Sequence, residues 1–360
     1  MNVSYDGGRT WSAPVIIQDD DVNGQNDKNW IVVDNSDAPG HTKGRVYVVW
    51  DRGEPVVYNY CDHDCDQQQN WLPDFQTAHG VVYPGQGIGA YPVVMKDGGL
   101  GMAISAGEGI PNPGSTDQPT SIPTGGQDFI LAPKAGSTPW PAPLVFLPPV
   151  AVAKNSNGGT AAQRGSSGMP SASADPKSGE VYDVWDDTRF RSDGKNDVVF
   201  SKSADGLAWT PPVRISGGPT NDKVNHYVPA VSVDENGVVH VMWRQRDESG
   251  VAPLFTDVID TYYSESTDGG TTWSTPLKVN SQPSNPWYGA FSRAGTFEGD
   301  YDQIASAGGY SYIVREQGQR DYAGEPVALT KNSATTVALT NAGKGHQHQR
   351  NWVAVVRDTP

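Results

Sequence analysis

Three hairpin turns of one design constrain this chain more than any other feature. Residues 263–276 read YSESTDGGTTWSTP, a strand-like run that turns sharply through Asp268-Gly269-Gly270 and resumes at Trp273. Asp-Gly-Gly between two such runs signals a hairpin, because glycine accepts positive φ and aspartate can bond the amides of its own turn. The arrangement recurs at Ser4-Tyr5-Asp6-Gly7-Gly8-Arg9-Thr10-Trp11 and, one residue shorter, at Ser203-Ala204-Asp205-Gly206-Leu207-Ala208-Trp209. A serine two residues before the aspartate and a tryptophan after it are more than a turn needs. Three copies of a hairpin with a bonded aspartate and a buried tryptophan mean a repeat architecture.

Between the turns, short β-rich runs alternate with clusters of Gly, Pro, Asn and Asp, and helix-period apolar stripes are hard to find. Five inner strand pairs can be read: 29–34 with 45–52, 90–95 with 102–104, 170–174 with 180–189, 227–233 with 238–244, and 300–305 with 310–315. The segments 107–126 and 148–168, rich in small and turn-forming residues, read as loops rather than linkers. A last strand spans 351–356, and the chain starts inside a repeat at Met1-Asn2-Val3-Ser4-Tyr5, as a fragment or processed form does. The expectation is one antiparallel all-β propeller domain over residues 1–360. If the last strand returns to pair with the N-terminal stub, the ring closes as six blades and leaves no free edge. Five blades, with the stub completing the last unit, is the rival count.

The formal net charge of −15 argues against nucleic acid as a partner, since that needs a basic face. It leaves room for an anionic ligand, because a local arginine cluster can sit inside an acidic molecule. No run reaches the length of a membrane helix. Cys61 and Cys65 stand in Cys-Asp-His-Asp-Cys-Asp. Two thiols and one histidine at this spacing fit no common zinc pattern, so a local disulfide in a secreted protein is expected. Neither a metal nor a cofactor is expected.

The form S-x-D-x-G-x-x-W resembles the Asp-box of the sialidase superfamily and related bacterial neuraminidase-repeat proteins. In that family the box joins the third and fourth strands of propeller blades, away from the active site. The resemblance therefore implies a sialidase-like propeller in which Asp6, Asp205 and Asp268 are structural, with Trp11, Trp209 and Trp273 packed between sheets.

Several second strands end in a tryptophan or valine followed by charge: Trp50-Asp51-Arg52, Trp185-Asp186-Asp187-Thr188-Arg189, Trp243-Arg244-Gln245-Arg246 and Val314-Arg315-Glu316. Equivalent positions in successive blades gather around one end of the axis. Neighbouring aspartate and arginine most often form an ion pair that holds a loop, yet converging guanidinium groups also make a carboxylate receptor. Sialidases use an arginine triad, a tyrosine nucleophile paired with a glutamate, and an aspartic acid/base. By resemblance, Tyr301 is the nucleophile, Arg293 the third arginine, and Glu316 the glutamate bracing the first. Arg244 or Arg246 supplies the second arginine, and Arg315 joins the substrate-binding set. The acid/base aspartate has three candidates: Asp27, Asp51 and Asp62. The family's Arg-Ile-Pro motif is absent, and residues 227–233 carry no glutamate.

Two function classes follow. One is an exo-glycosidase acting on a terminal acidic sugar of the sialic acid type, outside the cell. The other is a noncatalytic propeller that binds glycans or protein partners. His346-Gln347-His348 reads as a polar loop, and Trp30, Trp71 and Trp287 as blade packing.

Overall fold

The fold comes from a computed structural model. It describes residues 1–18, 26–51, 55–72, 80–85, 87–106, 126–133, 144–147, 149–154, 156–159, 163–164, 168–249, 258–292, 295–319, 330–331, 337–338 and 348–357. The protein is a β-propeller of five blades.

Blade 1 holds β1 (Asp27–Val33), β2 (Val46–Asp51), β3 (Val56–Cys61), β4 (Trp71–Leu72) and β5 (Gly80–Tyr83), with β4 and β5 both paired to β3. Blade 2 runs in order through β6 (Gly87–Val94), β7 (Leu100–Ala106), β8 (Gly126–Ala132) and β9 (Val150–Lys154). After the short β10 (Gln163–Arg164), blade 3 comprises β11 (Ser171–Ala174), β12 (Val181–Asp187), β13 (Asp197–Ser203) and β14 (Val213–Arg214). Blade 4 comprises β15 (Val224–Val233), β16 (Val239–Asp247), β17 (Ile259–Ser266) and β18 (Leu277–Lys278). Next, β19 (Ala290–Ser292) and β20 (Gly295–Phe297) form a small sheet with β10. Blade 5 pairs β21 (Gln303–Ala307) and β22 (Tyr310–Gln319) with the last strand, β25 (His348–Arg357). The strands β23 (Thr330–Lys331) and β24 (Val337–Ala338) pair with each other.

The blades are antiparallel sheets. Blade 5 leaves Tyr310, Tyr312, Val314, Val353 and Val355 exposed, and blade 1 leaves Ile31 and Val33 exposed. The inner strands of blade 3 are covered on both faces by blades 2 and 4. Alternate residues of one such strand therefore belong to different apolar layers. Val181 and Trp185 of β12 pack toward Phe129, Val93 and Met95 of blade 2. Tyr182 and Val184, one residue out of phase, pack toward Val239, Val241 and Trp243 of blade 4. A strand covered on both sides loses its polar face, and every residue of β12 is buried.

The six-blade closure expected from the sequence is corrected. The last strand pairs with β22 along its whole length, from Tyr310 opposite Arg357 to Gln319 opposite His348. It is the third strand of blade 5 and does not return to the N-terminus. Residues 1–3 instead fold back on 12–15, with Ser12 N–H on the Val3 carbonyl at 2.8 Å and Val15 N–H on the Met1 carbonyl at 2.7 Å. Val15, with Met1 and Val3 packed against it, lies on Cys61, Cys65 and Trp71 of blade 1. The two ends of the chain do not share a blade.

The three repeated turns form as their residues dictate. Asp6, Asp205 and Asp268 each accept backbone amides of their own turn, as from Thr10 at 2.9 Å, Leu207 at 2.8 Å and Thr272 at 2.8 Å. The second and third turns join β13 to β14 and β17 to β18. Trp209 meets Phe129 of the preceding blade at 5.1 Å between ring centroids, and Trp273 meets Phe200 at 5.2 Å. Trp11 departs from the expectation. Its turn caps the N-terminal hairpin at the edge of the molecule, and the ring is 63% exposed. Cys61 and Cys65 form the expected disulfide, with Cα atoms 5.8 Å apart.

One buried acid has no counterpart in the sequence reading. Asp183 sits in the middle of β12, on the side of Val181 and Trp185, and is fully buried. Neither carboxylate oxygen has a hydrogen-bond partner among the described residues. Burial pushes its carboxyl well above the ordinary value, against a smaller pull from the Val184 amide. A folded-state value above the unfolded one favours folding at low pH, and that advantage fades as pH rises through the folded value. Asp183→Val should therefore stabilise the protein at neutral pH by about 1–3 kcal/mol. The gain should shrink toward pH 4, which urea unfolding at the two pH values measures. Equal stability of the two proteins at neutral pH would contradict it.

Candidate active site

Five residues with positive φ, one per blade, mark where the inner strands leave the axis: Lys28 (38°), Gly89 (77°), Gly168 (63°), Val228 (49°) and Gly299 (79°). In β1, β6 and β15 the ladder slips at this point, between Asp27 and Trp30, Ile88 and Tyr91, and Tyr227 and Ala230. A bulge of this kind re-aims the following side chains. In three blades glycine adopts the conformation without strain. In the other two, lysine and β-branched valine adopt it at a cost, which is characteristic of functional sites.

The residues two places further on include Trp30, Tyr91 and Tyr301, and the repeat brings all three aromatics to one pocket at the axis. Trp30 lies 4.8 Å from Tyr91 and 6.2 Å from Tyr301 between ring centroids, the latter pair edge to face. Lys28 projects over two of these rings, with Nζ 5.0 Å from Trp30 and 4.5 Å from Tyr301. Asp186, Asp300 and Asp302 line the same pocket, which encloses about 20 Å³. Its remaining wall is Met169, Pro170, Ser171, Val228 and Pro229.

Asp51 ends β2 beside Lys28. Its Oδ2 accepts the Gly89 N–H at 2.9 Å, a bond that the bulge in β6 makes possible. Oδ1 is buried with no hydrogen-bond partner among the described residues. Burial pushes the Asp51 carboxyl up to about 7, and Asp27 adds to this, while the Gly89 amide and the Lys28 charge pull the other way. Burial brings Lys28 down to about 8 against the pull of Asp51, Asp300 and Asp27. Near neutrality the site thus holds a carboxyl that can give up a proton beside an ammonium that keeps its charge.

Second-strand ends do gather at the axis, but the charges divide by depth. Asp186 lines the pocket, and one of its oxygens is held by the Asn157 side-chain amide. Arg244 lies underneath and is fully buried. Its Nε and Nη2 grip both oxygens of Asp302 at 2.7 and 2.5 Å, and Nη1 and Nη2 donate to the backbone carbonyls of Gly299 and Glu298 at 3.1 and 2.9 Å. Arg315 is buried beside Glu298 and Arg244, and burial lowers its pKa. Arg246 is buried with Nη1 3.6 Å from Glu248.

Among the described residues, none of the arginines expected to form the receptor lines the pocket. Arg244, Arg246 and Arg315 sit in the blade interior, and Arg293 lies outside the described residues. Glu316 is half-buried near Gly299, where a Cβ would stand 3.3 Å from its Oε2. Tyr301 does reach the pocket and is 38% exposed. Its hydroxyl faces the Asp27 carboxylate at 3.4 Å. Burial, then Asp27, Asp300 and Asp51, raise the phenol above its ordinary value, which opposes the ionisation a nucleophile needs.

Of the three acid/base candidates, Asp51 and Asp27 flank Lys28, whereas Asp62 is bonded to Arg45 away from the axis. Trp71 and Trp287 are buried as expected, while Trp30 belongs to the pocket. His346 and Gln347 lie outside the described residues. Sequence reasoning missed Lys28, Tyr91, Asp300 and the Val228-Pro229 wall. A signal for two of them was present, since Gly89-Ala90-Tyr91 and Gly299-Asp300-Tyr301 repeat one Gly-x-Tyr pattern at the start of inner strands. Among the described residues no group of three or more His, Cys, Asp or Glu is arranged to hold a metal ion, and no helix is long and apolar enough to cross a membrane.

Fold and pocket together define a five-bladed propeller with an acidic, aromatic-rimmed site on its axis. No protein-family profile matches the sequence, and no curated protein matches it. Among solved structures it is similar to a Dyadobacter fermentans protein of unknown function, at 16% identity and a TM-score of 0.48, over 95% of this chain and 97% of that one. It is also similar to an α-L-arabinofuranosidase from Fusarium graminearum, at 12% identity and 0.47, over 95% and 97%. A third is an α-L-arabinanase from Penicillium chrysogenum, at 15% identity and 0.44, over 75% and 74%. None is similar enough to lend its activity to this chain.

Proposed function

We propose that this protein is a carbohydrate-active propeller that hydrolyses a neutral glycoside at its axial pocket, with Asp51 as the proton donor. The observation that carries the reading is the buried Asp51 carboxyl beside Lys28 and Asp27, with Oδ2 on the Gly89 N–H and Oδ1 without a hydrogen-bond partner among the described residues. Burial in this setting raises its pKa to about 7. Glycoside hydrolysis asks for this division of roles, one acid that stays protonated and one carboxylate that stays ionised. In the proposed step Asp51 protonates the departing glycosidic oxygen as the bond to the anomeric carbon breaks. Water adds to that carbon and gives its proton to Asp186 or Asp300. The rings of Trp30, Tyr91 and Tyr301 offer the C–H faces of a sugar a stacking surface.

The charge balance supports a neutral sugar over sialic acid. Asp302 is offset by Arg244, so among the described residues Lys28 is the cation that lines the pocket, against Asp186 and Asp300 in the lining and Asp27 and Asp51 beside it. Its ammonium is already engaged by two aromatic faces. A sugar carboxylate would meet repulsion here and, among the described residues, find no arginine lining the pocket to hold it. The Cys61–Cys65 disulfide supports work in an oxidising compartment. Hydrolysis of a panel of neutral and acidic aryl glycosides tests the reading. Cleavage of a neutral member is expected, and cleavage of sialosides alone would overturn it.

A further inference from the structure

Resting on that hydrolase reading, we infer that the sugar unit held at the axial pocket is a 6-deoxyhexose, seated with its methyl group against the wall of Met169, Pro170, Val228 and Pro229. The pocket is two-sided. Lys28, Asp186 and Asp300 face the substrate with charge, whereas these four residues present no polar side-chain atom to it, and Ser171 beside them has its Oγ engaged by the Val231 N–H at 3.1 Å. Two of them are prolines and lack the amide proton that could bond a hydroxyl. A space of about 20 Å³ admits a methyl-sized group and not a sugar ring, so the ring rests on the aromatic rim while one substituent enters.

The wall is also held in place against resistance. Val228 takes positive φ, 49°, where a β-branched residue is strained. Pro229 follows it with its own φ fixed, and the neighbouring Tyr227 is fully buried, which leaves the strain no local outlet. Strain that persists in a pocket wall marks a shape the site requires. A hexose would place its exocyclic hydroxyl against this wall without a partner, a penalty of roughly ten- to hundredfold in kcat/KM. A pentose would leave the same space unfilled.

The test compares matched nitrophenyl glycosides that differ only at the exocyclic carbon: D-fucoside, D-galactoside and L-arabinopyranoside, and L-rhamnoside, L-mannoside and L-lyxopyranoside, in both anomeric forms. In the series that is cleaved, kcat/KM for the 6-deoxyhexoside should exceed that for the hexoside by at least about tenfold, with the pentoside between them. Val228→Asn, which tolerates positive φ and adds a hydrogen-bonding group, should bring the hexoside to within about threefold of the 6-deoxyhexoside. Val228→Gly, which relieves the strain without adding a polar group, should keep the wild-type order. A hexoside or pentoside cleaved as fast as the 6-deoxyhexoside by the wild type overturns the inference and leaves the hydrolase reading standing. An Asn variant that keeps full discrimination also overturns it. Absence of cleavage of every member, together with no binding of the free sugars to the wild type, ends both.

Discussion

Asp51→Asn should lower kcat on glycosides of ordinary alcohols by about 10²–10⁴-fold. Asparagine matches aspartate in shape, and its carbonyl oxygen can still accept the Gly89 N–H that Oδ2 accepts at 2.9 Å. The bulge in β6 is therefore kept, and the change removes only the transferable proton. The melting temperature should not fall, because the variant no longer buries a carboxyl raised to about 7. The leaving group separates this role from any other. A dinitrophenyl glycoside departs as a stable anion and needs little protonation, so its turnover should fall far less than that of the alkyl glycoside. Equal losses on both substrates would mean that Asp51 shapes the pocket without donating a proton.

Arg244→Met should destabilise the protein by about 3–5 kcal/mol, measured by urea unfolding at pH 7. Arg244 and Asp302 are fully buried at their side chains. The guanidinium satisfies both carboxylate oxygens of Asp302 and the carbonyls of Glu298 and Gly299. Its removal strands a buried charge and two carbonyls at once. The double variant Arg244→Met with Asp302→Leu should recover most of the loss, since replacing a whole buried pair by apolar groups is often neutral. The same clamp fixes residues 298–302, so Asp300 and Tyr301 should lose their placement and activity should fall with stability. A receptor arginine behaves differently, giving lost affinity for an acidic sugar and little change in stability. That second pattern would restore the sequence-based role for Arg244.

Much of the architecture could be read from the chain because its determinants are local. Asp6, Asp205 and Asp268 bond amides within four residues of themselves, so the turn sequences specify the hairpins. The five inner strand pairs were legible from apolar runs broken by turn residues. The closure was not. Whether the last strand pairs with β22 or with the N-terminus depends on long-range ladders that no local pattern reports. The site shows the same division. Asp51, Asp186 and Arg244 occupy equivalent strand ends and could be grouped on that ground. That Arg244 sinks beneath the axis follows from a buried contact with Asp302, 58 residues away in the chain. The bulges at Lys28 and Val228 were invisible because neither residue favours positive φ. Only the glycines at Gly89, Gly168 and Gly299 advertised the position.

The pH dependence of kcat/KM on a neutral glycoside tests the assignment of Asp51 most directly. The proton donor must be protonated in the free enzyme, so raising the pH through its pKa removes activity. The account predicts an alkaline limb with its midpoint near 7, the value to which burial raises Asp51, and its disappearance from the residual activity of Asp51→Asn. A rate that stays level from pH 5 to pH 9 in the wild type, or a limb at 7 that survives in the variant, would contradict it.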